Sequence, residues 1–155
     1  MMGSSKARER RVANFGVPWE DAYGYAQAVE VDGVIYVSGQ VSHDRDGTLI
    51  APAPLNEAGR PTSYSNTEAQ LRRSYENAAS LLGEFGATLD DVVEETLFVI
   101  DIEAAFAAAG KVRKVMYASD KPRVASNLIG VSRLAFPELL VEVAFRAIPG
   151  RGGAA

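Results

Sequence analysis

The chain has no cysteine and only one histidine, His43, among its 155 residues. The absence of cysteine excludes disulfides, thiolate nucleophiles and cysteine-based metal sites. A single histidine leaves little material for a histidine-rich metal site or a histidine-based catalytic relay. We therefore expect no bound metal.

An excess of basic residues and a long hydrophobic run are also missing. Lysine and arginine number 16 against 20 aspartates and glutamates, a net charge of −4. This balance argues against nucleic-acid binding, which depends on cations that neutralise phosphates. No apolar run approaches the roughly 20 residues that span a bilayer, and the polar start lacks the apolar core of a signal peptide. We expect a cytoplasmic protein that binds neither nucleic acid nor membranes.

The overall composition of the chain is typical of a single globular domain. Hydrophobic residues make up 47% of the chain, and 155 residues suffice for a single well-formed core. Residues 1–10 are polar and predict a disordered or tag-like start, whereas 150–155 are rich in glycine and alanine and predict a flexible tail. The predicted domain covers residues 11–149.

Changes in hydrophobic period along the chain predict its elements. The Asp32-Gly33 pair between two apolar stretches, 25–31 and 34–37, indicates a β-hairpin. Residues 41–64 contain several glycines and prolines and predict a long functional or interfacial loop. Ser65 and Glu68 match a capping box that would begin a helix ending near Gly86. Further elements are a strand at 92–100, a helix at 104–117, and strands near 126–134 and 140–148.

This order of elements predicts an α+β fold with one mixed sheet and two helices on one face. The last strand alternates clearly, with Val141, Val143 and Phe145 on one side and Glu142 and Arg146 on the other. Because two helices cover only one face of a sheet, we expect the other face to be covered in a homo-oligomer.

Four segments resemble one known family in order and spacing. They are Tyr25-Ala26-Gln27-Ala28-Val29, Val37-Ser38-Gly39-Gln40, Leu97-Phe98-Val99-Ile100-Asp101 and Leu140-Val141-Glu142-Val143. Over residues 12–148 the chain is similar to the Rid (YjgF) family, which is also described as endoribonuclease L-PSP-like. The resemblance implies a chorismate-mutase-like fold, a trimer with a small-molecule cleft at each subunit interface, no cofactor, and hydrolysis of reactive enamines and imines.

The chain departs from the deaminases of that family at two positions. The resemblance implies a carboxylate-binding arginine early in the penultimate strand, and counting along the chain places Ser126 there. In the last strand Glu142 matches the first glutamate of the pattern, but Ala144 stands in place of the second. Serine cannot replace the charge of a bidentate arginine. We therefore do not expect classical 2-iminopropanoate deaminase activity, and any substrate is expected to differ from short 2-imino acids.

The candidate site residues follow from these matches. The catalytic candidates are Glu142 and Tyr25; the substrate-binding candidates are Ser38, Gly39, Ser126, Asn127, Arg123 and Arg146. Most of them have a structural alternative. Glu142, Arg146 or Tyr25 would be interface partners, Gly39 a glycine that ends a strand, Arg123 a solvated charge, and Asn127 a hydrogen-bonded structural amide. Two other residues stay open as well. His43 is either a base at the cleft rim or a solvated loop histidine, and Trp19 is either a cleft wall or an anchor for the N-terminal segment.

Three functions are compatible with these residues. The leading hypothesis is a Rid-like homotrimer that hydrolyses an imine or enamine. The alternative is a non-catalytic protein on the same fold that binds a small ligand or a partner. Ribonuclease activity is disfavoured because the net charge is −4 and only one histidine is present for proton transfer.

Overall fold

A computed structural model describes residues 7–150 of the chain. The expectations for residues 1–6 and 151–155 lie outside this range. The elements within it, in chain order, are β1 (Arg11–Ala13), α1 (Pro18–Tyr23), β2 (Ala28–Val31), β3 (Val34–Gln40), α2 (Thr67–Gly83), a 3₁₀ turn (Leu89–Asp91), β4 (Val92–Val99), α3 (Ile102–Met116), β5 (Ala125–Gly130) and β6 (Val141–Ala147). None of these helices has the length and apolar character needed to cross a bilayer.

The strands form one mixed six-stranded sheet, which confirms the predicted α+β fold. The strand order is β1-β2-β3-β6-β4-β5. All neighbours are antiparallel except β4 and β5, which run parallel and are connected through α3. Strand β1 and helix α1 were not predicted from the sequence, because β1 has three residues and α1 has six, too few to show a hydrophobic period. Pro18 at the start of α1 and Gly24 just after its end are typical helix boundary signals.

The predicted hairpin is present between β2 and β3. Asp32 and Gly33 have φ angles of 50° and 78°, and a type I′ turn requires positive φ at both central positions. Glycine adopts such angles without strain, and aspartate tolerates them better than most residues.

The predicted capping box at the start of α2 does not form. The helix begins at Thr67 after Asn66, and no side chain caps it. The Glu68 carboxylate instead lies 2.8 Å from Lys111 Nζ on α3 and 3.6 Å from Arg72. Two cations therefore hold the carboxylate that the capping box would have used.

Other boundaries also differ from those predicted from the sequence: α2 ends at Gly83 rather than near Gly86. Helix α3 begins at Ile102, two residues early, because the Asp101 side chain accepts a hydrogen bond from the Ala104 amide at 2.8 Å and caps it. Strand β5 ends at Gly130 rather than near residue 134. Beyond it the amide of Val131 donates to the Val99 carbonyl, which is the last bond of the β4–β5 pairing.

The core lies between the sheet and helices α2 and α3. Alternate strand residues such as Ile35, Val37 and Val143 are buried against the helices. The opposite residues, including Tyr36 and Arg146, are exposed. In the described part of the chain neither α2 nor α3 packs on this second face, which we call the open face of the sheet.

Candidate functional site

A β-bulge at the end of β3 shapes the candidate site. Val37 pairs with Phe145 and Gln40 with Val143, so β3 carries one residue more than β6 between these pairs. The extra residue lies in the Ser38-Gly39 step of the Val-Ser-Gly-Gln segment. The Ser38 amide donates to the Gln27 carbonyl at 2.8 Å, and its hydroxyl donates to the Ala26 carbonyl at 2.7 Å. A bulge changes the direction of nearby side chains, and bulges are common beside active sites.

Gly39 is required here because Glu142 occupies the space beside it. A Cβ built on Gly39 would lie 1.8 Å from Glu142 Oε1. The Glu142 side chain therefore lies against the bare backbone of the bulge. Within the described residues Glu142 makes no hydrogen bond or ion pair, and burial raises the pKa of its carboxyl group above the usual range.

Glu142 lines a cavity of about 570 Å³ between α1, the bulge and the segment before β6. Its walls are mainly apolar and aromatic, typical of small-molecule sites. Tyr25 lies in the same wall, and burial is the main cause that raises the pKa of its phenol, which stays protonated at neutral pH. The lining residues are Trp19, Tyr23, Tyr25, Gln27, Ser38, Gly39, Gln40, Val41, His43, Ala135, Phe136, Leu139 and Glu142.

His43 is buried in the cavity wall, so the interpretation as a solvated loop histidine is wrong. Only 2% of it is exposed. Its ring meets Trp19 edge to face at 5.0 Å and Phe15 at 5.3 Å between centroids. Burial is the main cause that lowers the pKa of His43, which favours the neutral ring. Trp19 also contacts Phe136 at 5.5 Å and therefore forms part of the cavity wall.

The hydrogen bonds of His43 define its tautomer. Nδ1 lies 2.6 Å from the Asp44 carbonyl oxygen. Because a carbonyl oxygen can only accept, Nδ1 carries the proton and Nε2 of the neutral ring is an acceptor. The long loop is held in this position by α2, since Arg73 and Asn77 both donate to the His43 carbonyl, at 2.9 and 3.1 Å.

A chain of buried polar side chains connects α1 to the bulge. The Gln40 amide nitrogen donates to the Gln27 side-chain oxygen and to the Ser38 carbonyl, both at 2.9 Å. Gln27 in turn donates to Glu20 at 3.3 Å, and Glu20 accepts the Gly16 amide at 2.7 Å. The amide oxygen of Gln40 is buried and has no hydrogen-bond partner among the described residues. An unsatisfied buried acceptor of this kind is uncommon and calls for a donor.

Two further candidates lie on the open face beside the cavity. Arg146 lines a neighbouring hollow that shares Ser38, and its guanidinium lies 5.3 Å from the Tyr36 ring centroid. Asn127 pairs in register with Thr96, which pairs with Ala144 on β6. Asn127 is exposed, and its amide nitrogen donates a hydrogen bond to the Thr96 hydroxyl at 3.5 Å, as the interpretation of Asn127 as a hydrogen-bonded structural amide predicts.

Within a single chain, the remaining two candidates, Ser126 and Arg123, lie away from the cavity. Ser126 alternates with Asn127 and faces α3, where it accepts a hydrogen bond from Arg113 at 2.6 Å. The position obtained by counting for the missing arginine is therefore on the opposite face of the sheet from Glu142. Arg123 lines a separate hollow together with Asp90 and Lys121.

A second glutamate forms a polar cluster on the helix face, which we call the Glu95 cluster. Glu95 is 1% exposed. It accepts hydrogen bonds from Tyr75 and from Tyr117, the latter at 2.9 Å, and forms an ion pair with Arg113. Burial, together with the proximity of Glu95, raises the pKa of both phenols beyond the usual tyrosine range. Glu94, its neighbour in sequence, lies on the open face, as strand alternation predicts.

The cavity thus combines four predicted site residues, Tyr25, Ser38, Gly39 and Glu142, with Trp19 and His43, whose roles the sequence left open. The other lining residues had been given no role. Gln27 and Gln40 each belong to a segment that resembles the family, and this resemblance was the sequence signal that could have indicated a role for them in the site. Phe136 follows an irregular segment and carries no sequence signal for the site.

Comparisons with known proteins give a consistent result. A model of the family described as Endoribonuclease L-PSP matches residues 19–148. A RutC family protein from Pyrococcus abyssi (strain GE5 / Orsay) is 32% identical over 120 residues, which cover 77% of this chain and 81% of the relative. The RutC family protein UK114 of Drosophila melanogaster is 30% identical over 126 residues, 81% of this chain and 80% of the relative.

Solved structures show the same fold. Rv2704 from Mycobacterium tuberculosis, described as a member of the YjgF/YER057c/UK114 family, aligns with a TM-score of 0.70 at 27% identity, over 90% of this chain and 99% of its own. Yeast Mmf1 aligns with a TM-score of 0.71 over 92% of this chain and 100% of its own. At 22% identity Mmf1 supports the fold alone.

Proposed function

The chain belongs to the Endoribonuclease L-PSP family, which includes the Rid/YjgF proteins, and on this premise we propose that it hydrolyses imines or enamines other than short 2-imino acids. The single observation that carries the proposal is the position of Glu142. It is a carboxylate without a protein partner among the described residues, set against the Gly39 backbone in an apolar cavity. Strand and bulge hold it there, so little reorganisation is needed when a substrate binds.

The reaction is the addition of water to a protonated imine. Water attacks the carbon of the C=NH₂⁺ group, the C–O bond forms, and the electron pair of the C=N bond moves to nitrogen. Glu142 accepts a proton from the water and returns it to nitrogen. The C–N bond then breaks as the hydroxyl oxygen forms the C=O bond, and the hydroxyl proton passes to the departing ammonia, so that a carbonyl compound and ammonium leave. A carboxyl group whose pKa is raised by burial is suited to both transfers near neutral pH. Tyr25, which keeps its proton, can donate a hydrogen bond to the developing oxygen.

Two departures from the family pattern support a substrate other than short 2-imino acids. No lysine or arginine of the described residues lines the cavity, and Ala144 provides no second carboxylate. A substrate carboxylate would therefore meet Glu142 without a countercharge from the same chain.

We also propose that the protein is a homotrimer whose clefts include this cavity. The proposal rests on the family resemblance and on the open face, where apolar side chains such as Val29, Phe98 and Ile129 are only partly covered. Light scattering coupled to size exclusion should give three times the chain mass. A monomer at micromolar concentration would contradict the trimer.

The residues of this chain do not favour the ribonuclease activity that the family description names. The net charge is −4, and the histidine of the cavity is buried between aromatic rings with its Nδ1 proton committed to a carbonyl. These features do not favour binding and cleavage of a polyanion.

The activity is tested by ammonia release from freshly generated imines, half of them carrying a 2-carboxylate and half without one. The wild-type protein should accelerate hydrolysis of carboxylate-free imines above the buffer rate, and Glu142→Gln should lose about 10²-fold or more of that rate. Glu30→Gln is the matched control, since Glu30 is also a half-buried strand glutamate but pairs with Arg11 away from the cavity. No release from any imine by the folded wild-type protein would reject the hydrolase and leave the non-catalytic binding protein.

A further inference from the structure

The cavity around Glu142 presents several hydrogen-bond acceptors that no described residue satisfies. The side-chain oxygen of Gln40 is buried without a donor among the described residues. Nε2 of His43 is the unprotonated nitrogen, because Nδ1 faces a carbonyl oxygen. The Glu142 carboxylate adds two more acceptor atoms.

The side-chain donors of Gln40 and Ser38 in the lining are already used by the protein. Both hydrogen bonds of the Gln40 amide nitrogen go to protein oxygens, at 2.9 Å each. The Ser38 hydroxyl donates to the Ala26 carbonyl at 2.7 Å. A ligand carboxylate would find the Tyr25 phenol as a donor but no lysine or arginine of the described residues, whereas a ligand with several N–H groups would satisfy the unpaired acceptors.

Charge and shape favour the same class of ligand. Glu142 carries the negative charge of the lining, and no lysine or arginine of the described residues faces it. Trp19, Tyr25 and Phe136 give the cavity aromatic walls. Aromatic faces attract cations as well as apolar groups, most strongly where water is excluded.

From this arrangement we propose that the cavity binds a cationic nitrogen group, such as an iminium, ammonium or amidinium, attached to an apolar or aromatic body without a carboxylate. The cation lies against Glu142 and donates to Gln40 and His43, and the body packs against Trp19 and Phe136. This inference rests on the proposed function in so far as it names the substrate class for the same cavity. It is tested by binding, so that it can fail or succeed separately from catalysis.

The test compares three probes of nearly equal shape: benzamidinium, which is cationic, neutral benzamide and anionic benzoate. Calorimetry at neutral pH should show benzamidinium binding at least tenfold more tightly than benzoate, with benzamide between them. Glu142→Gln should weaken benzamidinium at least tenfold and leave benzamide within about twofold. The control Glu30→Gln should bind all three probes like the wild type.

Other outcomes overturn the inference. Benzoate binding as tightly as benzamidinium would mean that a cation, supplied for example by a second copy of the chain, controls the cavity. Absence of binding by all three probes, or an equal loss in Glu142→Gln and Glu30→Gln, would also reject it. A protein that binds benzamidinium through Glu142 but releases no ammonia from imines would keep this inference and reject the hydrolase.

Discussion

Two glutamates on opposite faces of the same sheet have contrasting surroundings. Glu95 on β4 is buried against the helices and is surrounded by donors from Tyr75, Tyr117 and Arg113. Glu142 on β6 lies on the open face, half-buried in an apolar cavity, and has no partner within the described residues. The first carboxylate has its hydrogen-bonding capacity filled by the protein, whereas the second leaves it available for a ligand.

The contrast separates a structural charge from a functional one. A buried charge is tolerated when it is paired and hydrogen-bonded, and removing one partner is then strongly destabilising. A half-buried charge without a partner costs stability and is retained for another reason, such as chemistry at a site. Substitutions at the Glu95 cluster should therefore change stability, and those at the cavity should change binding and turnover.

The largest effect on stability is expected at Glu95. Glu95→Ala should lower the free energy of unfolding by about 3–5 kcal/mol, because Arg113 and two buried phenols lose their common acceptor. Glu94→Ala, at the neighbouring residue on the open face, should cost less than about 1 kcal/mol. Urea denaturation of both variants measures the difference, and equal effects would remove the distinction between the two faces.

A pair of tyrosine substitutions gives the next largest effect. Tyr117→Phe deletes the hydrogen bond to Glu95 and should cost about 1.5–3 kcal/mol, as for bonds to charged groups. Tyr25→Phe should cost about 0.5 kcal/mol and instead slow imine hydrolysis. Thermal denaturation and ammonia release on the same samples test both statements. A Tyr25→Phe protein with full turnover would remove the donor role of this phenol.

Substitution of two glycines tests the close approach of Glu142 to the bulge. Gly39→Ala should destabilise by about 1–3 kcal/mol and abolish benzamidinium binding, because the added methyl group displaces the carboxylate. Gly110→Ala is the matched control: a Cβ there meets nothing within 4 Å, and the gain in helix propensity should stabilise by about 0.5–1 kcal/mol. Denaturation and calorimetry distinguish them, and normal binding by Gly39→Ala would contradict the geometry.

The smallest effect is a pH-dependent gain at Glu142. Burial raises the pKa of this carboxyl group in the folded state, which therefore favours its protonated form. The protonated group makes its full contribution to stability below the ordinary carboxyl pKa, and this contribution is lost as the pH rises through the raised pKa of the folded state. Glu142→Gln should thus be more stable than the wild type at pH 7, by less than about 1 kcal/mol because solvent screens a half-exposed group. Near pH 3 the two proteins should unfold alike. A variant less stable than the wild type at pH 7 would show that Glu142 has a stabilising partner.

The sequence predicted those features that depend on local pattern. The Asp32-Gly33 turn, the alternation of β6 and the opposite directions of Glu94 and Glu95 all follow from neighbouring residues. The segment Val37-Ser38-Gly39-Gln40 led to the cavity through its family resemblance. Its bulge, however, is visible only in the register between β3 and β6.

Features that depend on distant contacts could not be predicted in the same way. Glu68 was expected in a capping box, but Lys111 on another helix takes its carboxylate. His43 resembled a solvated loop residue because the aromatic rings that bury it come from Phe15 and Trp19, more than 20 residues away. Counting along the chain placed Ser126 at the arginine position, yet a shift of one residue in a strand moves a side chain to the other face.

A carbon-13 titration of the Glu142 carboxyl group, with and without saturating benzamidinium, tests the central claim most directly. If Glu142 is the unpartnered carboxylate of a ligand site, its pKa lies above the ordinary glutamate range in the free protein and falls when the cation binds. An ordinary pKa that benzamidinium leaves unchanged would contradict the assignment of this cavity as the functional site.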